Sequence, residues 1–111
     1  MRELWLITVA ELLSLGEIAL ARKAARIATS TLVDDGVLWA ARALVEDGEA
    51  AEAALETALA LASDEPLAWL ARAHAYRAAG DSIAADAAAS MAVVRGTPRL
   101  QVDAIVFPGG R

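Results

Sequence analysis

The residues of this 111-residue chain that could carry out chemistry are few and scattered. His74 is the single histidine, and a histidine acting as a general base needs a nucleophile or a carboxylate oriented beside it by a third group. Its sequence neighbours supply no such partner, so we interpret His74 as a surface or groove-lining residue. Acidic pairs stand at three predicted helix junctions: Asp34-Asp35, Glu46-Asp47 and Asp64-Glu65. Because carboxylates near helix starts favour the helix dipole, we interpret these pairs as capping and linker residues.

No motif for a cofactor or a metal ion is present in the sequence. We find no phosphate-binding glycine loop, no dinucleotide fingerprint and no metal-ligand spacing. Cysteine is absent, which excludes disulfides and thiolate chemistry. We therefore predict no catalytic residue, no cofactor and no metal site, and a protein that is not an enzyme.

The formal net charge of −5 argues against nucleic acids and anionic membranes as partners, since both attract clustered Lys and Arg. The opening segment is apolar, but Arg2 is offset by Glu3 and the apolar run is interrupted by Glu11. We therefore expect neither a signal peptide nor a membrane span there. The expected location is the cytoplasm.

A regular spacing of small residues organises the chain. Gly16, Gly48 and Gly80 recur every 32 residues, and alanines follow each glycine at fixed distances. The alanine positions are Ala21, Ala53 and Ala85, then Ala28, Ala60 and Ala92. Alanine has the highest helix propensity, and a period of this length is typical of repeat proteins built from one stacked helical unit.

The spacing predicts three units, 2–33, 34–65 and 66–97, each with two helices joined at its glycine. Glycine fits the left-handed position after a helix end. Thr97 and Pro98 repeat a helix-start signal, which predicts a capping helix over 98–107 with Leu100, Ala104 and Phe107 facing inward. An extended strand is the alternative, because apolar residues alternate there. Residues 1–107 would then form one domain with a flexible tail, 108–111.

Side-chain size predicts how the units pack. Small residues at Ala53 and Ala85 would let the two helices of a unit approach closely, so leucine at either position should overpack the core. The first helix, by contrast, is apolar around most of its circumference and needs a second surface to cover it. Trp39 falls two residues out of the 32-residue register, so we expect it to be partly exposed.

These residues resemble the tetratricopeptide repeat (TPR), which combines an early Trp, a small residue, an aromatic, Gly, two Ala and a closing Pro. Unit three matches with Trp69, Ala73, Tyr76, Gly80, Ala85, Ala92 and Pro98. Unit one matches with Trp5, Val9, Leu12, Gly16, Ala21 and Ala28, and unit two with Val37, Ala41, Leu44, Gly48, Ala53, Ala60 and Pro66. The period is 32 here against 34 in the family. The resemblance implies an all-α fold of three TPR-like helical hairpins in a right-handed superhelical stack, plus a short C-terminal capping helix.

In TPR proteins the first helix of each unit lines a concave groove. Carried over by position, the resemblance implies a partner-binding groove formed by Leu6, Ala10, Leu13, Leu38, Arg42, Val45, Leu70, His74 and Arg77. An apolar groove on a soluble protein is a binding-site signal. The alternative is that other helices of the same chain cover these residues.

The function implied is that of a chaperone or adaptor holding a partner polypeptide. The segments DEPLAWLARAHAYRAAGD and ALVEDGEAAEAALETALAL resemble the last two helix pairs of small cytosolic type III secretion chaperones of the YscY and YscG kind. That resemblance implies a small secreted export component as the partner. The alternative is a structural homo-oligomerisation module, in which Trp5, Leu6 and Leu13 meet their counterparts in a second copy.

Overall fold

The computed structural model describes residues 1–106, and within that range it contains seven α-helices and no strand. The helices are α1 (Arg2–Ser14), α2 (Ile18–Thr31), α3 (Gly36–Val45), α4 (Gly48–Leu61), α5 (Pro66–Ala78), α6 (Ser82–Val94) and α7 (Arg99–Val106). Turns of two to four residues connect them. The all-helical prediction is confirmed, as the alanine content and the absence of β-patterned runs led us to expect.

The odd-numbered helices form a continuous layer, and the even-numbered helices lie against it. Helix α1 contacts α3, α3 contacts α5, and α5 contacts α7. Over residues 1–106, α2, α4 and α6 contact only the helices next to them in the chain. Consequently the surface between α4 and α6 is not closed by direct packing of those two helices.

Glycine closes the first and third helical hairpins. Gly16 and Gly80 have φ angles of +76° and +83°, which glycine adopts without a Cβ penalty. The N–H groups after them, of Glu17 and Asp81, donate to the carbonyls of Leu12 and Tyr76 at 2.8 and 2.9 Å. This pattern of bonds satisfies carbonyls at the helix ends, as predicted for a left-handed helix termination.

The second hairpin closes differently, and here the predicted helix end is wrong. Helix α3 ends at Val45, and the chain turns through Glu46 and Asp47, which have extended backbone angles. Gly48 is the first residue of α4 instead of the residue after α3. The cause is that Glu46 leaves the helix path to meet arginines from two helices, as described below.

The inward face of α4 differs from the predicted one by one residue. Ala53 and Ala60 are exposed, and Ala54 and Ala58 are buried in the core instead. Ala54 and Ala58 lie 30 residues after the buried Ala24 and Ala28 of α2, so the inward face of α4 follows a spacing of 30 residues and not the predicted 32. Ala85 is fully buried as predicted, so the overpacking argument holds at Ala85 and not at Ala53.

Two of the interhelical links have the same structure, and their equivalent residues are 30 positions apart, not 32. They are the α2–α3 link and the α4–α5 link. The indole N–H of Trp39 donates to the carbonyl of Val33 at 2.8 Å, and that of Trp69 donates to Ser63 at 2.6 Å, each six residues back. Trp39 is therefore in register with Trp69. It is half-buried, in agreement with the predicted partial exposure.

Gly36 fixes how closely α3 approaches the end of α4. A Cβ at this position would lie 2.5 Å from the Cβ of Ala62, closer than real side chains come. The preceding residue, Asp35, caps α3 by accepting from the N–H groups of Val37 and Leu38 at 3.1 and 3.4 Å. This part of the capping interpretation is confirmed.

The C-terminal segment is a helix, so the strand alternative is wrong for residues 99–106. Helix α7 packs on α5 and α6 and buries Val102 and Val106 completely in their core. Leu100 is 86% exposed, so the prediction that it faces inward is also wrong, because the buried face runs through 102 and 106. The predictions for the side chain of Ala104, for Phe107 and for the tail 108–111 lie outside what the structure describes.

Candidate functional site

The apolar centre of the predicted groove lies inside the core. Leu38, Val45 and Leu70 are 1%, 4% and 1% exposed. The odd-numbered helices pack on each other and also on the even-numbered helices, so these side chains are covered from both sides. They cannot line an open surface in this structure, and the alternative of coverage by the same chain applies to them.

The other predicted groove residues are spread over three different environments. Leu6 and His74 are half-buried, whereas Ala10 and Leu13 are exposed on α1. Arg42 belongs to an ion-pair network between helices. The remaining residue, Arg77, is exposed at the end of α5. These residues therefore do not form one continuous binding surface.

A network of charged side chains fills the junction between α2 and α3. The Glu46 carboxylate is 2% exposed and accepts from Arg26 of α2 at 2.6 and 2.9 Å and from Arg42 of α3 at 3.2 Å. Arg42 also donates to the hydroxyl of Thr29 at 3.0 Å. The guanidinium of Arg26 holds the pKa of Glu46 below its usual range, although burial acts in the opposite direction, and Arg42 adds to the lowering.

A second arginine of α2 holds the turn after α3. Arg22 donates through Nε to the carbonyl of Val45 at 2.6 Å and pairs with the carboxylate of Asp47. The Glu46-Asp47 pair therefore serves as an ion-pair anchor, which corrects its interpretation as a simple cap. We define the α2–α3 junction by these residues: Arg22, Arg26, Thr29, Arg42, Glu46 and Asp47.

The equivalent junction between α4 and α5 carries different side chains. At a spacing of 30 residues, Glu52 and Glu56 replace the two arginines of α2, and Tyr76 replaces the buried glutamate. One feature is retained: Arg42 lies over the ring of Trp39 at 5.1 Å, and Arg72 lies over Trp69 at 5.6 Å. Among residues 1–106, the charged network of the first junction is thus absent from the second, and the backbone also differs there, because Tyr76 lies inside α5 whereas Glu46 lies in the turn after α3.

An open groove runs along the α4–α5 junction. Its apolar lining consists of Leu55, Leu59, Ala75, Tyr76 and Ala79, and its charged lining consists of Glu52, Glu56 and Arg72. This part encloses about 320 Å³. A further part of about 430 Å³ continues past Glu49 and His74 towards the start of α4. We refer to the two parts together as the α4–α5 groove.

The floor of the α4–α5 groove is held by a stacked cation. Arg72 donates to the hydroxyl of Tyr76 at 3.2 and 2.9 Å and lies 5.4 Å from the centre of the tyrosine ring. Because it also lies over Trp69, its guanidinium is fixed between two aromatic rings. Two small residues, Ala75 of α5 and Ala79 directly after it, leave the space above the floor open.

The first hairpin presents a separate apolar surface to solvent. Eight large apolar side chains on α1, α2 and the turn between them are exposed: Met1, Leu4, Ile7, Leu13, Leu15, Ile18, Leu20 and Ile27. Leu4 and Ile7 lie on the face of α1 opposite the buried Val9. The prediction that α1 needs a second covering surface agrees with this exposure.

His74 forms no ion pair with an acidic side chain in the described part of the chain. His74 lines the α4–α5 groove beside alanines. In the part of the chain that the structure describes, no three histidine or acidic side chains are grouped so as to hold a metal ion. Likewise, no described helix has both the length and the apolar character needed to cross a bilayer.

Comparison with known proteins gives no assignment: no family model, no curated protein and no solved structure matches this chain. Any functional statement therefore rests on the residues and geometry above.

Sequence reasoning missed most of the α4–α5 groove because it used the 32-residue glycine spacing. The tryptophans give the better register: Trp39 and Trp69 are each followed three residues later by an arginine, Arg42 and Arg72. Aligned on this Trp-x-x-Arg repeat, the sequence alone places Glu56 at the position equivalent to Arg26. His74 is the one predicted site residue that lines the groove.

Proposed function

We propose that this chain is a non-enzymatic adaptor or chaperone that holds a segment of a partner polypeptide in the α4–α5 groove. The observation that supports it is that the groove is open and largely apolar where the equivalent α2–α3 junction is filled by side chains. Concave surfaces with an apolar lining and a few polar groups are the usual form of a binding site. A helix or an extended segment with apolar anchors would suit it.

The finer form of the proposal is a TPR-like repeat protein with three hairpins in a right-handed superhelical stack. The layer of odd-numbered helices and the glycine-closed first and third hairpins support it. Following the resemblance to type III secretion chaperones, the partner would be a small secreted export component held in the cytoplasm before export. The α4–α5 groove replaces the concave surface that the resemblance implied, since Leu38, Val45 and Leu70 are core residues.

Filling the groove tests the proposal. Ala79 is exposed and lines both parts of the groove, so Ala79→Trp should occupy it at little cost in stability. Ala87→Trp places the same side chain on the exposed surface of α6, outside the groove lining, and serves as the control. After co-purification from the native cell and mass spectrometry, we expect one small protein with the wild type and with Ala87→Trp, and its loss with Ala79→Trp. Equal recovery with Ala79→Trp would contradict this site.

The exposed apolar side chains of α1 and α2 support a second candidate, a homo-oligomerisation module. Several large apolar side chains exposed on one helical hairpin are typical of a protein interaction surface. Leu4→Ser with Ile7→Ser should then shift the mass measured by light scattering from dimer to monomer. A wild type that is monomeric at all concentrations would exclude this candidate and leave the groove proposal intact.

A further inference from the structure

Given the proposed function, we infer that the segment bound in the α4–α5 groove is an amphipathic helix whose arginine or lysine side chains pair with Glu52 and Glu56. The inference names the chemistry of the partner for the same groove. The observation behind it is that the even-numbered helix carries glutamates in this groove, where the α2–α3 junction has arginines at the equivalent positions.

The α2–α3 junction shows which groups satisfy this geometry. There, arginines on the even-numbered helix reach a carboxylate and a backbone carbonyl on the odd-numbered helix and its turn. In the α4–α5 groove, the equivalent positions on the even-numbered helix are Glu52 and Glu56, which can only accept hydrogen bonds when ionised. The facing position is Tyr76, whose hydroxyl already accepts from Arg72.

The carboxylates along the groove form one row without cations between them. Glu49, Glu52 and Glu56 are all exposed and stand three and four residues apart, which places them on neighbouring turns of α4. Among residues 1–106, none of the three forms an ion pair within the chain. Like charges at these spacings repel each other, so a cation placed between them is favoured.

The positive charges on the α5 side of the groove do not neutralise the row of glutamates on α4. Arg72 is fixed on the groove floor between two aromatic rings, and His74 lies at the far end of the groove. Arg77 follows at the exposed end of α5. The acidic excess of the whole region strengthens the effect: residues 34–65 contain nine Asp and Glu and a single basic residue, Arg42. A positively charged segment is therefore attracted towards this part of the surface.

The apolar lining defines the rest of the partner. Leu55 and Leu59 stand one turn apart on α4, and Tyr76 of α5 and Ala79 just after α5 line the same part of the groove. A bound helix would place leucine-like side chains on this lining and a guanidinium over the carboxylates. Arg is favoured over Lys because its planar fork binds carboxylates in a bidentate manner.

Peptide binding to the full chain tests the inference. The probes are two synthetic 16-residue helical peptides with the same leucine stripe, one carrying arginine and the other glutamate on the flanking positions. By fluorescence anisotropy, we expect the arginine peptide to bind at least about tenfold more tightly than the glutamate peptide. Glu52→Gln with Glu56→Gln should remove about tenfold of the affinity for the arginine peptide, as well as most of its salt dependence.

A matched variant controls for net charge. Glu11→Gln with Glu17→Gln changes the charge by the same amount at exposed positions outside the groove, and should leave the affinity unchanged. If both peptides bound the wild type equally well and neither bound Ala79→Trp, the cationic inference would be overturned and the proposed function would stand. Failure of both peptides to bind would overturn both statements. Displacement of the arginine peptide from the wild type by an excess of Ala79→Trp, whose own groove is filled, would show instead that a second copy is the occupant, which would also overturn the inference.

Discussion

The α2–α3 junction and the α4–α5 groove lie at equivalent positions 30 residues apart, but the first is filled by side chains and the second is open. Both have a tryptophan bonded six residues back and an arginine stacked over it. In the first, Arg26 of α2 and Arg42 of α3 enclose a buried Glu46, and the space is filled. In the second, the acidic residues are on α4 and Tyr76 takes the place of the carboxylate, so the space stays open. The two junctions therefore differ in side-chain charge, in side-chain size and in where the odd-numbered helix ends, because α3 stops at Val45 whereas α5 continues through Tyr76 to Ala78.

The largest predicted effects come from two buried leucines, one on α3 and one on α5. Leu38→Ala and Leu70→Ala should each lower the free energy of unfolding by about 2–5 kcal/mol, because each removes a side chain that is 1% exposed. Urea unfolding measures this. Leu13→Ala, at 41% exposure, is the control and should change stability by about 0.5 kcal/mol or less. Unchanged stability in Leu38→Ala or Leu70→Ala, together with lost partner binding, would restore the groove that the family resemblance implied.

The positions of the helices were predictable from local chemistry, whereas the register of the junctions was not. Gly16 and Gly80 mark turns because their left-handed backbone angles disfavour other residues, and this requirement is visible in the sequence. The early end of α3 is different. It depends on Glu46 meeting Arg26, which lies 20 residues away in the chain, and no local propensity encodes that contact.

The candidate site shows the same limit. Leu38 and Leu70 look like surface positions when the glycines set the register, and their burial depends on how α3, α5 and α7 stack. The groove itself arises from an absence of filling side chains at Ala75 and Ala79. Small residues in a helix indicate close packing as readily as an open groove, so the sequence alone left both interpretations standing.

An intermediate effect should separate the two junctions. Glu46→Gln removes the charge that two arginines share, and we expect a loss of about 2 kcal/mol, below the 3–5 of fully buried pairs because the Arg26 side chain is 55% exposed. Glu56→Gln in the groove should change stability by about 0.5 kcal/mol or less, since its carboxylate is exposed and forms no ion pair among residues 1–106. Equal losses in the two variants would remove the distinction between the junctions.

The pH dependence of the stability loss in Glu46→Gln gives an independent check. The pKa of Glu46 is lowered in the folded state, so its contribution is fully present above the unfolded pKa of about 4.3 and is lost as the pH falls through the folded value. The stability difference between the wild type and Glu46→Gln should therefore shrink below about pH 4.3. Urea unfolding at pH 7, 5 and 3.5 measures it. A constant difference over this range would show that Glu46 acts by packing and not by charge.

The sharpest test of the comparison converts one junction into the other, and it should change stability only slightly. Glu52→Arg, Glu56→Arg and Tyr76→Glu together reproduce at the α4–α5 groove the charges of Arg22, Arg26 and Glu46. The new carboxylate would be four residues from Arg72, as Glu46 is from Arg42. We expect the triple variant to gain about 1 kcal/mol, because partly exposed ion-pair networks contribute little, and to lose peptide binding because the groove is filled. Tyr76→Glu alone places a carboxylate opposite the acidic row of α4 and should lower stability. If the triple variant kept both its open groove and its affinity for the arginine peptide, charge would not be what distinguishes the two junctions.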